Sequence, residues 1–197
     1  GDGDDRAISM ILIGDPMTFV VASARPELDA VSAVRSVDES DFDSGAIRLD
    51  ADGAAALSDS DSADFDGGRL IVQRISASVL EDDFEAQDAD GQDLLGLDQS
   101  GPVTVAGGVV SVDGVAVGTV ASDGAGGAPL IIDLNASATA ARVEVLVENL
   151  TYRNLSDDPR EEALFQIQVE DGDGAASDPV TVRVEISASV DGPDGAF

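Results

Sequence analysis

Aspartate carries the chemistry of this chain. The tetrapeptide Asp-x-Asp-Gly occurs four times, starting at Asp50, Asp64, Asp88 and Asp171. Composition alone would give roughly 0.5 occurrences, so the excess needs a cause. Two Asp side chains one residue apart on a turn can converge on one cation. The Gly after them supplies the positive φ that lets the backbone curl round it. Calcium suits such short loops because it accepts about six to eight oxygens in a tolerant geometry. Magnesium demands a stricter octahedron and keeps more of its water, so Ca2+ is the expected cofactor.

The densest group is Asp59, Asp61, Asp64 and Asp66, in the run SDSDSADFDGG. Each close pair repels by about 1 kcal/mol even in a water-like dielectric. No basic residue lies inside the run, and Arg69 comes only after it. A bound dication is the simplest relief. The run is not an EF-hand, because Ala63 stands where a third side-chain ligand belongs and no Glu closes the loop. A second group, Glu170, Asp171, Asp173 and Asp178, falls in a loop between two strand-like segments, whose ends would hold it rigidly. Asp50 with Asp52, and Asp88 and Asp90 with Asp93, are further candidates that plain turns explain nearly as well. For every group the competing reading is a solvated loop whose Asp side chains cap turns. Asn149-Leu150-Thr151 matches the glycosylation triplet, a pattern short enough to arise by chance.

Composition narrows the chemistry further. Of 197 residues, 40 are acidic and ten basic, a net charge of -30. All ten basic residues are Arg, and Lys, His and Cys are absent. That leaves no imidazole base, no thiolate, no disulfide and no ordinary zinc site. Nucleic acid and anionic membranes would be repelled. The apolar stretch from Ala7 to Ala24 is broken by Asp15-Pro16 and is too short to span a bilayer as a helix, so no membrane insertion is expected. Paired carboxylates can hydrolyse glycosides, but six Phe, one Tyr and no Trp leave little to stack on a sugar, and no enzymatic activity is expected. A hydrophobic share of 43% still allows a packed core.

The elements that must position these side chains read mostly as short strands between Gly- and Asp-rich turns. Arg69 to Ala77, Val103 to Val105, Val109 to Val112, Val115 to Val120 and Ala128 to Leu134 are strand candidates. Asp113-Gly114 between two Val-rich runs predicts a two-residue hairpin. Ala163 to Val169 and Val180 to Ile186 alternate apolar and polar residues and predict a closing hairpin. Val143, Leu146, Val147 and Leu150 share one helical face, which predicts a short helix over 139–150, capped by Asn135, Ser137 or Thr139. Together these give an all-β fold, an antiparallel Greek-key β-sandwich of the cadherin or immunoglobulin kind with one short helix. The sandwich is expected over 27–188. Residues 1–26 read as an extension or extra strands (Met10 to Ile13, Thr18 to Ala22), and 189–197 as a linker to a following module. The chain as a whole reads as a piece of something longer.

The ordered blocks SDSDSADFDGGRLIV, GGVVSVDGVAVGTV, APLIIDLNASATAARVEVLVENLTYRNLSDDP and ALFQIQVEDGDGAASDPVTVRVEI resemble a module of the cadherin-like, chondroitin-sulfate-proteoglycan-type repeats of large bacterial surface proteins. The resemblance spans about residues 40–188. It implies an extracellular, calcium-binding sandwich strung in tandem within RTX-type adhesins exported by a type I route. The Asp59 to Asp66 and Glu170 to Asp173 loops would supply ligands, some near the junction with a neighbouring module. Neighbouring modules, and another cell-surface protein or polysaccharide, are the implied partners. The animal-cadherin Leu-Asp-Arg-Glu motif and Asp-x-Asn-Asp linker are absent. Two rivals stand beside this expectation: a carbohydrate- or protein-binding module, and a salt-adapted acidic scaffold without specific metal.

Overall fold

The strongest alternating segments form the centre of the fold. The structure is a computed structural model, described over residues 24–75, 91–157 and 159–188. β12 (Glu162–Glu170) and β13 (Val180–Ser187) form the expected antiparallel hairpin, from Glu162↔Glu185 to Ile167↔Val180. β5 (Arg69–Ile75) lies on the other flank of β12. The sheet continues through β10 (Leu130–Leu134), β9 (Val115–Asp123), β8 (Val109–Val112) and β7 (Val103–Ala106). Between β8 and β9, Asp113 and Gly114 take φ values of 49° and 78°, the left-handed pair that a two-residue hairpin requires. At the opposite edge β2 (Val34–Asp38) runs parallel to β13. The antiparallel expectation fails for this one pair, and the eight-stranded sheet is mixed. β2 and β13 are separated by all of β3 to β12 rather than joined by a hairpin, so nothing forces them to run antiparallel.

A second layer faces this sheet. It holds β3 (Ile47–Arg48), β11 (Leu150–Asn154) and β6 (Asp93–Leu97), in the order β3-β11-β6, and the pair β1 (Glu27–Asp29) with β4 (Ala56–Ser58). Two short helices, α1 (Asp41–Ser44) and α2 (Ala140–Glu148), complete an all-β sandwich. In α2, Val143, Leu146 and Val147 are buried as the spacing predicts, whereas Leu150 has left the helix to begin β11. Thr139 is the N-cap but its side chain makes no capping bond. Asn135 Oδ1 instead accepts the Ser137 N–H at 2.8 Å, shaping the turn before the helix. No helix among the described residues is long and apolar enough to cross a membrane.

Aromatic packing ties the layers together. Tyr152 of β11 lies 4.6 Å from Phe165 of β12 and 5.4 Å, edge-on, from Phe42 of α1. Phe165 therefore points inward, and alternation sends Leu164, Gln166 and Gln168 to the outer face. A buried ion pair also crosses the layers. Arg74 of β5 meets Asp93 of β6, both nearly inaccessible to water. Asp93 Oδ1 accepts from the Tyr152 hydroxyl and from Asn154 Nδ2, each at 2.7 Å. Burial, with Asp93 alongside, drives the Tyr152 hydroxyl well above its ordinary pKa.

Asp98, just past β6, is a strongly acidified carboxyl. Bonds from the Ser100 hydroxyl and N–H, and then from Arg48, lower it from 3.8 to about 2. Arg48 reaches it with Nε at 2.9 Å and Nη2 at 2.7 Å. Because the folded pKa is depressed, its stabilisation is complete above the ordinary value and is lost as pH falls from about 4 to about 2. The pair is partly exposed, so screening reduces the effect to about 1 kcal/mol. Asp98→Asn should flatten the unfolding free energy against pH across that window. An unchanged slope would refute the assignment.

Candidate metal centre

Two acidic loops far apart in sequence meet at one end of the sandwich. The first, Asp59 to Gly68, leads into β5. Phe65, 1% exposed, anchors it in the core, and the Phe65 N–H donates to the Ala138 carbonyl at 3.0 Å. The second follows β12, where the chain turns at Asp171–Gly174. Their backbones touch through glycines. A Cβ on Gly172 would overlap the Asp66 carbonyl oxygen, and one on Gly68 would overlap the Glu170 carbonyl oxygen. Only the missing side chains allow this approach.

Between the loops lies an open groove of about 280 Å³, lined by Asp61, Ser62, Ala63, Asp64, Asp66, Gly172 and Asp173. The two groups that sequence treats as separate sites thus share one groove. Asp59 begins the first loop but does not line the groove. Its Oδ1 accepts the N–H groups of Asp61 and Ser62, at 3.1 and 3.3 Å. Its Oδ2 is buried and has no hydrogen-bond partner. Burial raises the Asp59 carboxyl, and the facing Asp61 carboxyl adds to the rise. Asp61 moves the other way, lowered first by the Ala24 N–H, which reaches Asp61 Oδ2 at 2.7 Å. Asp64 Oδ1 accepts the Asp66 N–H at 3.2 Å, curling the loop as a turn.

The remaining candidates are placed otherwise. Asp171 is turned inward, 2% exposed, and its Oδ1 accepts the N–H groups of Asp173 and Ala175 at 2.9 and 2.8 Å. Glu170 ends β12 and does not line the groove. Asp178 pairs with Arg25, at 2.7 and 3.2 Å. Asp50, 1% exposed, braces its own loop by accepting from Ser32 and Ala54, and Asp52 shares the Ser32 hydroxyl. Neither lines the groove. Asp88 and Asp90 lie outside the described residues, and Asp93 is held by the Arg74 ion pair. Among the described residues no three acidic side chains already converge at cation-holding distance. The Asn149 triplet is buried in the folded chain.

Sequence reasoning missed a second acidic meeting point. Glu148 is raised first by burial, then by Asp50 and Glu144. Glu144 Oε1 accepts the Leu57 N–H at 2.8 Å. The spacing of Glu144 and Glu148 along one side of α2 was the available signal, but nothing in the sequence brings Asp50 to them.

Fold and groove together define an all-β sandwich with a carboxylate-lined cleft between two loops at one end. No family model matches the chain, and no curated protein or solved structure matches it either.

Proposed function

We propose that the chain is a calcium-binding module of a large extracellular bacterial adhesin, acting as a calcium-stiffened spacer or contact domain. The observation that carries the calcium reading is the buried, partnerless Oδ2 of Asp59, in the same loop as Asp61, Asp64 and Asp66, which line a groove together with Asp173. This donor set is all oxygen and mostly carboxylate, which fits a hard cation. Without the ion, these carboxylates repel across loops whose backbones lie in close contact. With it, their charge is neutralised and both loops are tied to one centre.

The path of the chain supports a role in a string of modules. Ala24 and Arg25 are held at the groove by Asp61 and Asp178. β13 then carries the chain from Val180, beside the groove loop, to Ser187 at the opposite end of the sandwich. The described chain therefore enters at the acidic groove and leaves from the far end. The described aromatic side chains are all buried, so none of them offers a sugar-stacking platform.

The test is thermal unfolding in chelator, in calcium, and in sodium chloride of matched ionic strength. Calcium at roughly ten times its Kd should stabilise by about 1.4 kcal/mol. Sodium should give much less, and Asp59→Asn should remove most of the calcium increment. Equal stabilisation by sodium would replace specific binding with general charge screening.

A further inference from the structure

The helix α2 and the turn before it fasten the first acidic loop at both of its ends. At the near end, the Leu57 N–H of β4 donates to Glu144 Oε1 at 2.8 Å. Among the described residues β4 pairs only with β1, and α2 packs against it. At the far end, the Phe65 N–H donates to the Ala138 carbonyl, in the turn that leads into α2, at 3.0 Å. β10, before that turn, holds the loop again, through the Gly67 N–H on the Leu134 carbonyl at 3.2 Å and the Leu134 N–H on the Gly68 carbonyl at 2.9 Å. Arg142 Nη1 braces the turn by donating to the Ser137 carbonyl at 2.9 Å. Val143, Leu146 and Val147 lock α2 into the core, so the near anchor rides on a packed element.

Between the anchors, residues 58–64 carry Asp59, Asp61 and Asp64, whose like charges push the stretch apart. A segment held at two points has fewer conformations than one held at a single point, so each anchor limits how far these carboxylates can spread. Glu144 carries a cost of its own. After burial and Asp50, it adds to the rise of the Glu148 carboxyl. An uncharged residue at 144 would relieve that repulsion but would offer the Leu57 N–H a weaker acceptor or none. The bond to Leu57 offsets this cost.

We propose that Glu144 is a positioning residue for the acidic groove. Its carboxylate fixes the near end of the Asp59–Asp66 loop against α2, so that Asp61, Asp64 and Asp66 face the groove together. It acts through the Leu57 N–H and is not itself a ligand, since it does not line the groove. The proposal rests on the calcium reading only for the identity of the ion that the groove takes.

Three variants of the full chain separate the bond from the charge. Glu144→Ala removes the acceptor and keeps a good helix former, Glu144→Gln keeps an acceptor without the charge, and Glu148→Gln removes a charge one turn away without touching Leu57. Amide hydrogen exchange in chelator is the first readout. In Glu144→Ala the Leu57 amide should exchange at least about tenfold faster, and the Asp61 and Ser62 amides at least about threefold faster. Ile167, in the middle of the large sheet, should stay within about twofold. Glu144→Gln should restore most of the loop protection, and Glu148→Gln should match the unaltered chain. Calorimetric titration with calcium chloride is the second readout, and Glu144→Ala should bind at least about threefold more weakly, with Glu144→Gln recovering. Loop amides unmoved in Glu144→Ala would overturn the proposal. So would a uniform rise that includes Ile167, or a Glu148→Gln variant that behaves like Glu144→Ala. A lack of calcium binding by the unaltered chain would strike the calcium reading alone, and the exchange pattern would still decide the role of Glu144.

Discussion

Replacing Asp93 with alanine is expected to cost about 3–5 kcal/mol, the largest loss from any single change considered. Asp93 faces Arg74 between the two layers, and it also accepts from Tyr152 and Asn154. Its removal takes a counter-charge away from a buried guanidinium and deprives a tyrosine hydroxyl and an amide of their acceptor. For a domain of this size the unfolding midpoint should fall by roughly 10 °C or more. Removing both charges tells the pair from its parts. Arg74→Met with Asp93→Leu should recover most of the loss, because two apolar groups of similar volume need no counter-charge. Denaturant unfolding of the three variants measures this. A loss below about 1 kcal/mol for Asp93→Ala would mean that water reaches the pair.

Gly172→Ala should cost about 2–3 kcal/mol and should also weaken the calcium response. The added methyl would occupy the position of the Asp66 carbonyl oxygen, so the two acidic loops must separate. Gly174→Ala makes the control. Gly174, unlike Gly172, has a positive φ, 89°, and a Cβ there meets nothing within 4 Å. It should lose only the backbone-strain increment, about 1 kcal/mol, and keep its calcium response. Paired melting curves with and without calcium separate the two effects. If Gly172→Ala melts and responds like Gly174→Ala, close loop contact does not build the groove.

Much of the large sheet was legible because its strands alternate or are Val-rich, and because Asp113-Gly114 permits one tight turn. α2 was legible from Val143, Leu146 and Val147. The second layer was not. β3 has two residues and β1 three, too few for a period to emerge, and β11 begins where the helical pattern of α2 was still running. The parallel β2 was hidden because its partner β13 lies about 150 residues further on, and no local pattern encodes that distance. At the groove, the Asp spacing marks the two loops but not their meeting. Asp64 and Asp173 are 109 positions apart, and glycines on both loops, rather than any acidic motif, bring them to one groove. The same limit explains Asp171 and Asp50. Their Asp-Gly spacing suits a ligand, but both point inward and close their own turns.

The placing of β13 fixes how the domain meets tension. A pull between Ala24 and Ser187 runs nearly along β13, which is flanked by β12 on one side and by the parallel β2 on the other. Both ladders would be loaded in shear, so their hydrogen bonds must fail together instead of unzipping one at a time. The parallel β2 pair, which departs from the antiparallel pattern, thereby clamps the strand through which the load would leave.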